Sequence, residues 1–343
     1  MPERIRRDPR GSHARQCRQP SRGGREWTRR IHGGRHAAPA FPDTAFTEHR
    51  SGQDASVNWD RPADVGRVEA RYVRRSPDYF VVYLSAQTGC SQGCRMCHLT
   101  ATGQTRQRDV TFAELLEQAD TVLAHYRRAE PPARSVFFNF MARGEPLANR
   151  ALLANADELL GALAGRAVAL GLRPRHRVST ILPREIGDRR LEDVFVVHHP
   201  DIHYSIYSVS ERFRRRWLPK ALPAREALDR LAAWQRSTDK VVTLHHAYIA
   251  GENDTEADVH AICDAIEERR LMVHVALVRY NSPDPARHGV ESDEATIARN
   301  AAIYQARLPF ARVRVIARVG FDVAASCGMF VGADGMTAST TLR

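Results

Sequence analysis

Phe80-Val-Val-Tyr-Leu-Ser-Ala-Gln-Thr-Gly-Cys-Ser-Gln-Gly-Cys-Arg-Met-Cys97 decides how this chain is built. Its first half is an apolar run of β-branched and aromatic residues, the composition of a buried strand. Its second half sets Cys90, Cys94 and Cys97 at C-x3-C-x2-C spacing. Iron-sulfur clusters are ordinarily held by four thiolates. Three at this spacing can hold three irons of a [4Fe-4S] cluster and leave the fourth iron open to a small molecule. The other metal chemistry open to these thiols is zinc, with His98 or a distant residue as fourth ligand. Zinc sites favour paired clusters, and no second C-x2-C pair is present in the sequence.

Working outward, short β-branched runs alternate with amphipathic stretches from Val68 onward. Strands are expected at 80–85, 136–140, 177–180, 202–207, 241–249, 273–279 and 313–317. Helices are expected near 111–127, 150–169, 185–194, 224–236, 255–269 and 293–306. The first of these opens on Thr111-Phe-Ala-Glu114, a capping box, followed by Leu115, Leu116, Ala119, Val122 and Leu123 on one face. Such alternation means parallel strands joined by crossover helices. An α/β fold, an open (β/α)6 barrel, is therefore expected. Active sites of such barrels lie at the C-terminal ends of the strands, where the cysteine loop falls.

The 343 residues carry a formal charge of +11, most of it in one place. Residues 1–36 contain eleven arginines against Glu3, Asp8 and Glu26. Residues 1–65 are rich in Arg, Gly, Pro, Ser and His without an apolar period, and are expected to form a disordered basic arm. Residues 66–343 are expected to form the folded core. A basic arm favours polyanions, because counterion release from phosphates drives association. Three of the six cysteines crowd into eight positions, a distribution that suits metal or catalytic use in a reducing, cytoplasmic setting rather than a disulfide scaffold. No stretch approaches the roughly 18 apolar residues of a membrane helix, and no secretory signal is expected.

The cysteine loop, with Arg143-Gly-Glu-Pro-Leu147 and Cys327-Gly328 in the same order downstream, resembles the radical-SAM adenosine methyltransferases. The resemblance runs from about Val68 to about Met329. It implies a radical-SAM barrel, a [4Fe-4S] cluster on Cys90, Cys94 and Cys97, and S-adenosylmethionine (SAM) on the open iron. It also implies methylation of carbon 2 or carbon 8 of an adenine in ribosomal RNA, with transfer RNA a further substrate of some members. An electron donor such as flavodoxin or ferredoxin and a monomeric state complete the expectation.

Residue by residue, the resemblance places Gly144 and Glu145 against the aminoacyl end of SAM. A backbone without a side chain permits close approach there, and a carboxylate can bind an ammonium. Ser179, the triplet Ser205-Ile206-Tyr207, and Asn281 match positions that contact SAM. By themselves, Ser and Asn at strand ends are also turn formers and caps. Cys327 matches the residue that accepts a methyl group from one SAM. A second SAM then yields a 5′-deoxyadenosyl radical, which takes hydrogen from the S-methyl group before the carbon adds to the adenine. Glu69 matches the family's general base; without the resemblance it reads equally as a surface charge.

The chain also departs from the family pattern. Tyr83 stands seven residues before the cluster motif, where the family has a second cysteine that resolves the protein–RNA adduct. Cys17 and Cys263 are poor substitutes by position. Tyr207 replaces a usual His, Met96 an aromatic, and the Arg-rich arm stands in place of a folded accessory domain. These departures keep a second reading open, a radical-SAM enzyme acting on a peptide or small molecule. A third reading, a zinc-stabilised RNA-binding protein, needs no catalysis.

Overall fold

In the computed structural model, residues 46–335 are described. They build one ten-stranded sheet whose strands follow sequence order. Strands β1 (Thr47–Arg50), β2 (Val57–Pro62), β3 (Arg67–Ser76) and β4 (Tyr79–Leu84) form an antiparallel meander. From β4 the sheet turns parallel through β5 (Ser135–Phe140), β6 (Arg173–Thr180), β7 (Asp201–Ser205), β8 (Val242–His246), β9 (Val273–Val278) and β10 (Val313–Ile316). Strands β1 and β10 are the two edges, so the curved sheet stays open.

The helices are α1 (His98–Ala101), α2 (Phe112–Ala129), α3 (Arg150–Ala154), α4 (Ala156–Ala169), α5 (Leu191–Val194), α6 (Glu211–Trp217), α7 (Ala224–Thr238), α8 (Glu256–Glu267), α9 (Pro285–His288) and α10 (Glu294–Arg307). Six β/α units therefore lead from β4 to β10, the partial (β/α)6 barrel expected. Helix α2 starts where the capping box placed it, with Thr111 and Glu114 satisfying each other's backbone N–H. It buries Leu115, Ala119, Val122 and Leu123 against β3 and β4. Each such Leu or Val contributes about 1.5–3 kcal/mol relative to exposure.

Three expectations need correction. Residues 46–65 are not part of an unstructured arm, because β1 and β2 lie there. Their signal was hidden by the Ser51–Ser56 loop between two very short runs, yet Val57 and Trp59 are buried and Trp59 meets the His125 ring edge-on. Residues 1–45 lie outside the described residues. The helix expected over 150–169 breaks at Asn155 into α3, which Asn149 caps by accepting from Leu152 N–H, and α4. Over 185–194 only a 3₁₀ turn and the short α5 form, because Gly187 adopts φ +58°. Among the described residues no helix is long and apolar enough to cross a membrane.

Candidate active site

The cysteine loop leaves β4 at the C-terminal mouth of the barrel. It is pinned by backbone bonds from Cys90 N–H to Gln104 O (3.1 Å), Arg95 N–H to Trp217 O (2.9 Å) and Cys97 N–H to Cys94 O (3.0 Å). Met96 packs into an apolar cluster with Phe213, Trp217 and Leu218, which accounts for an apolar residue at that position. Cys90, Cys94 and Cys97 line one cavity together with Gly144, Glu145, Ser179, Ser205, Tyr207, Asn281 and Cys327. Residues from Cys90 to Cys327 thus converge on one place.

Burial pushes all three loop thiols up, and their mutual repulsion pushes Cys90 and Cys94 further; Cys97 rises to about 11. Thiolates here need a cationic partner, and iron supplies one. Among the described residues no three His, Cys, Asp or Glu side chains are arranged to hold a single metal ion. His98, the nearby fourth ligand a zinc site would use, instead sets Nε2 at 3.1 Å from the Asn281 carbonyl. Three thiols that line one cavity fit a cluster held through three of its irons.

Gly144 adopts φ +84°, and a Cβ there would stand 2.5 Å from Gln87 Cβ and 2.7 Å from Gln87 N. Only glycine lets the β5 end lie against the loop. Beside it Glu145 is buried with no cationic partner. Its Oε1 accepts from Thr180 Oγ1 (2.7 Å) and Leu147 N–H (3.0 Å), and its Oε2 from Ile181 N–H (3.1 Å). Burial outweighs these three donors and lifts the carboxyl to about 7. A lone buried carboxylate facing a cavity is a site for an ammonium.

The remaining strand-end residues divide. Ser179 donates to Asn139 Oδ1 at 3.0 Å while still lining the cavity. Ser205 and Tyr207 line it too, whereas Ile206 points into the main core. Asn281 is committed to the chain itself: Nδ2 donates to the Cys327 carbonyl (2.8 Å) and Ser326 Oγ (3.2 Å), and Oδ1 accepts from Arg318 Nε (2.8 Å). It holds the Cys327 loop in place, and His98 N–H donates to Gly328 O (3.2 Å) from the other side.

Glu69 is fully buried on β3 and does not line the cavity. Its carboxylate meets Arg143 Nε at 2.7 Å and Arg71 Nη2 at 2.7 Å and accepts from Val331 N–H at 2.9 Å. Burial raises it, but the two guanidiniums prevail and hold it below the usual carboxylate range. Arg71 donates to Met329 O (2.7 Å) and Arg143 to Val331 O (2.5 Å). The three residues together clamp the segment after Cys327. Sequence reasoning missed Arg71 and the clamping use of Arg143, because their partners are remote in sequence.

No family model matches the chain. A "Probable dual-specificity RNA methyltransferase RlmN" from Parafrankia sp. is 31% identical over 298 residues, covering 81% of this chain and 71% of that protein. The chain belongs to the radical-SAM RNA methyltransferase family that includes RlmN. A "Probable RNA methyltransferase" from Rhodopseudomonas palustris is 28% identical over 76% of this chain and 67% of its own length. For another from Thiobacillus denitrificans the values are 31%, 69% and 60%. The chain thus spans 60% to 71% of the length of these relatives. A radical SAM methyltransferase structure from Sphaerobacter thermophilus superposes with TM-score 0.66 at 23% identity, over 83% of this chain and 81% of that one, which establishes the fold.

Proposed function

We propose that this protein methylates an adenine ring carbon, C2 or C8, of ribosomal or transfer RNA, with Cys327 carrying the methyl group. The observation that supports this reading is the convergence of Cys327 with the three loop cysteines and Glu145 on one cavity. When bound, the cluster supplies the electron that cleaves SAM reductively and so activates an otherwise inert methyl group. Cys90, Cys94 and Cys97 hold it. Glu145 takes the ammonium of SAM, and Gly144 lets the aminoacyl group approach the backbone. Ser179, Ser205 and Tyr207 border the remainder of the cavity.

Cys327 Sγ accepts the methyl group, the new S–C bond replacing the sulfonium's, with the thiol proton released. Burial raises this thiol, while Arg71 and Arg75 favour the thiolate that must form. Asn281, His98 and the Glu69–Arg71–Arg143 clamp fix the loop so that Sγ faces the site. As the structure holds it, Glu69 is engaged with two arginines, and a role as base in removing the ring proton requires it to leave one of them. Flavodoxin or ferredoxin is the class of electron donor that suits the cluster. The site sits in a cytoplasmic, reducing setting.

Tyr83 supports an altered release of product. Among the described residues, the only cysteine besides the loop three and Cys327 is Cys263, fully buried on α8. The same observation favours the second reading, a peptide or small-molecule substrate. The test is to digest ribosomal RNA treated with anaerobically reconstituted enzyme and methyl-labelled SAM. Labelled 2- or 8-methyladenosine is the expected product; unlabelled RNA alongside consumed SAM would turn the assignment to the second reading.

A further inference from the structure

The inside of this barrel is only partly packed: beside the apolar cluster of Val73, Val81, Tyr83 and Ala142 it opens to solvent. Barrels of this kind ordinarily fill their interior with layers of apolar side chains. Here Arg175 and Arg177 on β6, His203 on β7, His245 on β8, and Arg312 and Arg314 around β10 line a cavity of about 530 Å³ that opens to solvent, with Arg175, Arg312 and Arg314 exposed at its rim. That volume is in the range of a small-ligand site. Cys327, Met141 and Arg279 line both this cavity and the one that holds the loop cysteines. The Cys327 loop is thus the partition between a cofactor side and a second, cationic side.

The charges of the second side are largely uncompensated. Arg71, Arg279 and Arg318 are neutralised by Glu69, Glu291 and Glu294. Six further cations, Arg75, Arg175, Arg177, Lys240, Arg312 and Arg314, face only Asp201 and Asp239. Asp201 pairs with Arg175 (3.2 Å) and Lys240 (3.4 Å). Among the described residues Arg312 and Arg314 have no side-chain ion pair or hydrogen bond. The Arg177 guanidinium rests on the Phe137 ring, 3.7 Å from its centroid, and its Nε is buried without a partner. A cation withdrawn from water without a counter-charge is costly, and burial lowers the Arg177 pKa accordingly. His203 and His245 touch at 3.0 Å; burial foremost keeps both largely neutral.

Resting on the function proposed above, we infer that this lumen is the phosphate subsite of the substrate nucleotide. The phosphate group sits on the arginines of β6 and β10 and the base reaches toward Cys327. The dimensions suit one nucleotide unit. Arg175, Arg177 and Ser179 alternate on one face of β6, so the distance from the arginine end to the cofactor cavity is about 13 Å at 3.3 Å per residue. A flipped-out nucleotide of an RNA and a free nucleotide present the same chemistry to this wall.

The test uses the full chain loaded with cluster, without SAM, and follows alkylation of Cys327 by iodoacetamide through peptide mass spectrometry. The probes are adenosine, 5′-AMP and a short single-stranded RNA. The expected result is that AMP and RNA slow alkylation at least fivefold while adenosine does not. Stronger shielding by RNA at equal concentration would name the polymer as the source; equal shielding would name the free nucleotide. In Arg312→Gln/Arg314→Gln, altered at exposed positions that leave the fold intact, the shielding is lost. The log–log salt slope of RNA binding falls by about 0.7, for the one phosphate no longer neutralised. Equal shielding by adenosine, or shielding unchanged in the double variant, would overturn the inference. Methylation of Cys327 by SAM needs no RNA and reports separately on the function itself.

Discussion

Replacing Glu145 with Gln probes the electrostatics of the cofactor pocket. In the folded chain without ligand, Glu145 titrates at about 7 against a reference of 4.5. A carboxyl raised in this way stabilises the fold only while protonated. Its contribution is complete below pH 4.5 and is lost as pH rises through 7. At 1.36 kcal/mol per unit, the loss across that interval is about 3 kcal/mol. Gln cannot ionise, so the variant escapes it. Gln also places an amide N–H₂ against one of three donors, at a pH-independent cost of about 1–3 kcal/mol. The informative quantity is therefore the change in the difference between the two proteins, not the difference itself. Urea unfolding of wild type and Glu145→Gln at pH 4.5, 6 and 7.5, without cluster or SAM, gives it directly. Wild type should lose about 3 kcal/mol relative to the variant over that range. Parallel pH curves would refute the argument that Glu145 is an unpaired buried carboxylate, and with it the reason for giving it the ammonium of SAM.

Glu69→Gln leaves Arg71 and Arg143 buried without their counter-charge, so stability should fall by about 3 kcal/mol or more. The freed 323–331 segment should expose Cys327 to faster alkylation, read by peptide mass; an unchanged rate would show that the clamp does not hold the loop. Gly144→Ala must relieve a 2.5 Å contact with Gln87 at a positive φ, and should weaken SAM binding about tenfold with little change in cluster content, as measured by calorimetry. Cys94→Ser should lose iron and sulfide together, whereas stoichiometric zinc retained in the variant and the wild type alike would favour a structural metal site. Cys263→Ala should leave turnover unchanged, since that residue is buried on α8 away from the cavity.

The sheet and its crossovers were legible because the parallel strands and amphipathic helices carry strong, local periodicities. The cofactor cavity was legible because its residues sit at strand ends, which topology brings together once the strand order is known. Strands β1 and β2 were not, being short and separated by polar loops. Helix α6 hid in the basic run Glu211-Arg-Phe-Arg-Arg-Arg-Trp217. Arg214 there is buried by bonds to the carbonyls of Ile206, Ser208 and Leu222. The pairing of Glu69 with Arg143 and Val331 joins residues 74 and 262 positions apart, which no local pattern signals. The cationic lumen was hidden for a related reason. Alternating arginines on a strand read as a solvent face, and only the neighbouring strands of the sheet bring those of β6 and β10 onto one cavity.

The central claim is that Cys327 carries the methyl group. It is tested most directly by the mass of the Cys327 peptide from anaerobically purified, cluster-loaded protein incubated with SAM and reductant. A gain of one methyl group on Cys327, absent from Cys327→Ala, is the predicted result. An unmodified Cys327 in protein that holds its cluster and cleaves SAM would contradict it.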